Sequence, residues 1–174
     1  SRTRHRVASA FRRAKQPAAA VAAYRAALTG AEDAAAPGIL LELASLLAEG
    51  SRPGEAEAPL RELITRHPTA PQIPAALYAL AWLHLEAGRA ETARPVLVRL
   101  ATEFTRHPLG LDAAFRLGEQ EFAARRWKEA AARFQVAAAP ESPVSEAALY
   151  QLGWSERNAG NHAAAAQAFQ TLQQ

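Results

Sequence analysis

Five histidines, His5, His67, His84, His107 and His162, are the natural candidates for metal ligation and proton transfer in this 174-residue sequence, and no two stand four apart as a helical metal site requires. Each therefore reads as a surface or capping residue. Glu119 and Glu121 are two apart, so on a helix they turn to different faces and do not form a paired acid and base. There is no cysteine, which removes disulfides, thiolate metal sites and cysteine nucleophiles together. No phosphate-binding loop, nucleophile elbow or ordered serine, histidine and aspartate set is present. The expectation is a chain without catalytic residues, metal, cofactor or small-molecule substrate.

Binding chemistry is better represented. Tyr78 and Trp82 form an i, i+4 aromatic pair on a stretch whose Leu77, Leu80, Ala81 and Leu85 already supply an apolar stripe. A helix apolar on two sides must be packed on two sides, so this segment needs neighbours. A second feature is the basic segment Arg2, Arg4, Arg6, Arg12, Arg13 and Lys15, which contains no acid. Without it the remainder has 14 basic against 17 acidic side chains, despite the overall charge of +3, so the body of the protein is not a general polyanion binder. The basic segment could itself contact phosphates or anionic lipid heads, or form the solvated face of a terminal helix.

The elements that must position these residues are helices. Alanine is abundant, β-branched residues are scarce, and no alternating strand pattern is sustained. No apolar run approaches the roughly 18 residues of a membrane span. The triads Ala20/Tyr24/Ala27, Ala56/Leu60/Leu63, Ala93/Leu97/Leu100, Ala130/Phe134/Ala137 and Ala165/Phe169/Leu172 recur at intervals of 36, 37, 37 and 35 residues. That interval holds one helix-turn-helix unit and a connector. Five units follow, at about 1–34, 37–68, 72–108, 109–140 and 143–174, forming one repeat domain. Leu80-Ala81, Leu117-Gly118 and Leu152-Gly153 are equivalent pairs in first helices, where a small residue permits close approach.

Punctuation refines the plan. Gly50, Gly88 and Gly160 should end first helices in the left-handed conformation, and Pro17 should open a second helix. The connector 30–38, GAEDAAAPG, has no large apolar anchor and should be locally flexible. Arg-His-Pro at 66–68 and 106–108 should stop second helices, and Ser142 before Pro143 should cap the fifth unit. Pro59 and Pro95 require that their helices begin late or kink. With no methionine at all, Ser1 reads as the start of a segment of a longer protein, and an apolar face past the last helix would invite further repeats, a partner or end-to-end self-association.

The Leu-Gly pairs, the turn glycines and the Ala, aromatic, Ala-or-Leu triads resemble the tetratricopeptide-repeat superfamily over nearly the whole chain. The long unit and the Phe104-Thr105-Arg106-His107-Pro108 junction are similar to the variant in bacterial envelope proteins, including Tol-Pal-associated and outer-membrane assembly lipoproteins, which implies a periplasmic or cell-envelope location. The resemblance implies an all-α, right-handed α-α superhelix whose first helices line a concave groove. It places Tyr78, Trp82, Leu85 and Glu86, then Phe115, Glu119 and Phe122, then Tyr150, Trp154 and Arg157 on that groove, with Leu40, Ala44 and Leu47 in the second unit. The implied function is a protein-interaction scaffold gripping a peptide or partner segment, with packing of the same rings between repeats as the bland reading. The family's usual tyrosine three residues after the small position is replaced by His84, Glu121 and Glu156, which puts polar groups into seams expected to be packed.

Overall fold

The computed structural model describes residues 2–13, 16–29, 34–50 and 52–173, with the side chains of all of these except 2–5 and 13. Ser1, Ala14, Lys15, the stretch 30–33 of the connector, Ser51 and Gln174 lie outside the described residues. Among the described residues there are ten α-helices and no strand. They are α1 (Arg2–Arg13), α2 (Pro17–Leu28), α3 (Ala36–Glu49), α4 (Glu57–Arg66), α5 (Ile73–Glu86), α6 (Ala90–Glu103), α7 (Pro108–Ala123), α8 (Trp127–Ala137), α9 (Ser145–Asn158) and α10 (His162–Leu172). The chain divides into two compact units, Ser1–Ala93 and Arg94–Gln174, and the division falls inside α6 just ahead of its interior Pro95.

In the first unit, α1 packs on α2, α2 on α3, α3 on α4 and α4 on α5. Ala8, Ala20, Tyr24, Ala27, Ile39 and Leu47 share one buried cluster there. In the second, α7 packs on α8, α8 on α9 and α9 on α10. The recurring triads are the reason: in the first four copies every member is buried, from Ala20, Tyr24 and Ala27 to Ala130, Phe134 and Ala137. Each large member contributes about 1.5–3 kcal/mol by leaving water. In the fifth copy only Ala165 is fully buried, and Phe169 and Leu172 are half-buried.

The small residue of each first helix has a defined role. A Cβ on Gly118 would lie 2.7 Å from the Phe134 ring, and one on Gly153 would lie 2.5 Å from the Phe169 ring. Glycine there makes room for the aromatic ring of the following helix rather than for a second backbone. Where that following residue is Leu60, the equivalent position is Ala44.

Helix ends follow one motif three times. Gly88, Arg125 and Gly160 have positive φ, at 69°, 59° and 87°, so α5, α7 and α9 all end in the left-handed conformation. The Gly88 N–H donates to the Leu85 carbonyl and the Arg89 N–H to the His84 carbonyl, and the same pair of bonds recurs at Arg125/Arg126 and Gly160/Asn161. Gly50 does not follow: its φ of −92° and ψ of −168° are extended, because α3 leads into a 3-10 turn, Pro53–Glu55, rather than directly into α4. That turn also resolves Pro59. α4 begins late, at Glu57, so the proline falls in the first turn, where backbone donors have no helical acceptor. Pro95 is different, lying in the interior of α6 and removing the bond that residue 95 would donate to Glu91.

Two other expectations are corrected. Pro108 does not stop α6, which ends at Glu103; it is the first residue of α7, whose N-cap His107 accepts the Leu109 N–H on Nδ1 at 3.2 Å. Ser142 does not cap α9, which begins at Ser145; its hydroxyl accepts from the Val144 N–H at 3.3 Å and so shapes the preceding turn.

Candidate functional site

In the first unit the expected residues sit on α5. The rings of Tyr78 and Trp82 are stacked, 6.2 Å apart and 9° from parallel, as their i, i+4 spacing dictates. Trp82 is 41% exposed, and its indole N–H donates to the Glu86 carboxylate at 2.9 Å. Tyr78 and Leu85 are half-buried and Glu86 is exposed. This is a flat aromatic platform with a carboxylate fixed at its edge. Leu40, Ala44 and Leu47 of α3 are all buried, so at those positions packing takes the place of a groove wall.

In the second unit the positions divide. Phe115 of α7 is only 8% exposed and meets Phe134 edge-on at 5.4 Å, so its ring fills the interior of the helix pair instead of facing a groove. Phe122 is half-buried and meets Trp127 edge-on at 4.9 Å. Glu119 is half-buried and accepts from Arg116 at 3.3 Å. On α9, by contrast, Tyr150 is 49% exposed and half-buried Trp154 lies beside it, with ring centres 6.2 Å apart. Phe169 supports both from α10, at 6.2 Å and 6.0 Å. The Arg157 guanidinium sits 4.9 Å from the Trp154 ring centre, a cation–π contact on an exposed surface. Trp127 is the supporting ring that the repeat pattern did not single out, whereas Phe169 is the large member of the fifth triad and faces the glycine at 153.

The polar seam residues find different solutions. Glu121 is 4% exposed and receives hydrogen bonds from both Arg94 and Arg126. Burial pushes its carboxyl up, and the two arginines outweigh that and hold it below the usual carboxylate range. Glu156 is half-buried and accepts from Asn161 Nδ2 at 2.7 Å. His84 is fully buried, contrary to its reading as a surface or capping residue; helical periodicity puts it on the packed side of α5, beside buried Leu80 and Ala81. Between α2 and α3, the Tyr24 hydroxyl donates to Glu42 at 2.6 Å, and burial first, then Glu42, pushes the phenol up.

Of the basic segment, Arg6 is exposed, while Arg12 donates to Glu49 at 2.8 Å and so ties α1 to α3. The side chains of Arg2, Arg4 and Arg13, and the whole of Lys15, lie outside the described residues. Among the described residues no group of three or more histidine, aspartate or glutamate side chains converges as a metal site would require. His107 and His67 stand at helix ends and His162 is exposed at the start of α10. No helix is long and apolar enough to cross a membrane among the described residues.

Comparison with known proteins agrees with this geometry. A tetratricopeptide-repeat family profile matches residues 7–71 and 78–146, and a second profile of the same repeat matches 147–174. No curated protein matches the sequence. Among solved structures, MamA residues 41 to the end from Desulfovibrio magneticus RS-1 is 17% identical, with 99% of this chain and 92% of that chain covered at a TM-score of 0.66. A putative kinesin light chain of nearly identical repeats from Podosopora anserina is also 17% identical, with 99% and 92% covered and a TM-score of 0.63. The apo form of RapI is 14% identical, with 97% of this chain and 51% of that chain covered at a TM-score of 0.73. At such identities the likeness is one of fold. Proteins built from this repeat are generally non-catalytic scaffolds for protein–protein interaction. The chain belongs to the tetratricopeptide-repeat family.

Proposed function

We propose that this protein captures a peptide or partner segment through two aromatic platforms, Tyr78, Trp82, Leu85 and Glu86 on α5 and Tyr150, Trp154 and Arg157 on α9. One observation carries the reading. In a chain whose repeat triads bury Tyr24, Phe134 and their leucine equivalents completely, Trp82 and Tyr150 remain 41% and 49% exposed. Tyrosine, tryptophan and arginine are the side chains most often found at interaction hot spots, because a rigid ring covers apolar area at little entropic cost. Leu85 adds apolar surface at the first platform. Glu86 and Arg157 supply one polar anchor of each sign, held in place by the indole N–H and the indole face respectively. Phe122 and Glu119 are already engaged by Trp127 and Arg116, and Phe115 is interior, so they support the scaffold more than the contact.

The basic first helix supports the alternative of polyanion contact less well, since Arg12 is committed to Glu49. End-to-end self-association would rest on the half-buried Phe169 and Leu172. Residence in the bacterial envelope rests on the long repeat unit and the 104–108 junction. The test is a selection of short peptides from a random displayed library on the wild-type protein, followed by binding measurements on Trp82→Ala and Tyr150→Ala. Retained helical circular dichroism with affinity reduced at least about tenfold supports the platforms. Undiminished affinity in both variants overturns them.

A further inference from the structure

We propose that His84 makes the seam between α4 and α5 a proton-operated latch, closed while the imidazole is neutral and loosened when mild acid protonates it. The geometry comes from comparing three equivalent positions. In α5, α7 and α9 the residue three beyond the small position is His84, Glu121 and Glu156, and its own carbonyl accepts the closing N–H of Arg89, Arg126 and Asn161, at 2.8, 2.9 and 2.8 Å. In α7 the Arg126 guanidinium also bonds Glu121, and in α9 Asn161 bonds Glu156. Charge and donor complement acceptor in both cases.

In α5 they do not. His84 is 0% exposed and neither Nδ1 nor Nε2 has a hydrogen-bond partner. The charged groups around it are Glu57 and Arg61 from α4 and Arg89 from the turn after α5. Glu57 is already shared, accepting from Arg61 at 2.8 Å and pairing with Arg89 at 3.5 Å. α3 contributes buried Leu43, Leu46 and Leu47, its carboxylates Glu42 and Glu49 being held by Tyr24 and Arg12, and the part of α6 in this unit contributes only exposed Glu91. A protonated His84 would therefore place a third cation around one carboxylate, on a ring that is itself closed to water. Buried charge of that kind is relieved by opening the seam.

Burial pushes the His84 imidazole below its usual range; Glu57 pulls the other way, and Arg89 and Arg61 add to the depression. The unfolded chain then takes the proton first, at about pH 6.5. The seam is at full strength above that value and weakens as pH falls from it through the depressed folded value. Leu47 occupies the equivalent position of α3 and is buried there, which makes His84→Leu the natural control.

The experiment compares unfolding of the intact protein and His84→Leu across about pH 5 to 7.5, and follows the His84 ring by NMR in the wild type. Expected is a wild-type folding equilibrium that falls relative to the variant by up to about tenfold per pH unit below about 6.5. The ring should titrate below its usual value, and α4 and α5 amides should exchange faster in acid than those of α8. Parallel pH curves, or a ring titrating at about 6.5 or above, overturn the latch. Should His84→Leu fail to fold, the wild-type ring titration and α4–α5 exchange decide the matter alone.

Discussion

The closing turns of α5 and α7 share one backbone plan and opposite electrostatics. Both end in a left-handed residue, Gly88 or Arg125, and both return an arginine N–H to a carbonyl five residues back. Over that carbonyl, α7 carries buried Glu121 gripped by Arg126 and Arg94, whereas α5 carries buried His84 beneath an Arg89 that has turned to Glu57. The repeat therefore fixes where a side chain goes, and the neighbouring residues decide whether that place stabilises the fold or strains it. A buried ion pair breaks unfavourably when one side is removed, while a buried unpartnered imidazole improves when replaced by hydrocarbon.

Changes at these turns can break or sharpen the contrast. The largest effect should come from the double substitution of Arg94 and Arg126 by alanine, which leaves Glu121 buried without a partner and should cost about 3 kcal/mol in denaturant unfolding. The depressed Glu121 carboxyl also gives an acid signature. Its contribution is present above about pH 4.5 and lost as pH falls through the lower folded value, the same direction as His84 but in a more acidic window, and Glu121→Gln should remove that component of an acid titration. Next is His84→Leu at about pH 7.5, which should stabilise by about 1 kcal/mol in the same assay by removing two unpaired buried nitrogens. Of similar size is the exchange of turn residues: Arg125→Gly should gain about 1 kcal/mol and Gly88→Ala should lose about as much, read from thermal midpoints. Equal losses at both turns would show that the left-handed conformation is not what distinguishes them.

Much of the fold is legible in the sequence because the signals are local and repeated. The alanine triads mark the buried stripe of each second helix, and small residues at 81, 118 and 153 sit on the packed side of the first. What the sequence conceals depends on neighbours. Phe115 and Tyr150 occupy the same position of their repeats, three before Gly118 and Gly153, and one is interior while the other is half in water. Arg125 shows no glycine to announce its positive φ, and Gly50 announces one it does not adopt. His84 reads as a surface residue by its type and as a packed one by its repeat position, and its helical phase with Leu80 and Ala81 places it inside.

The functional account comes down to whether the exposed rings are the contact. The direct measurement is a titration of the protein with a selected peptide, followed through the indole N–H resonances of Trp82 and Trp154. At least one of the two signals should move in step with saturation, and at the first platform the reporter is the Trp82 N–H tied to Glu86 at the platform edge. A peptide that saturates the protein while both resonances stay fixed would contradict the account.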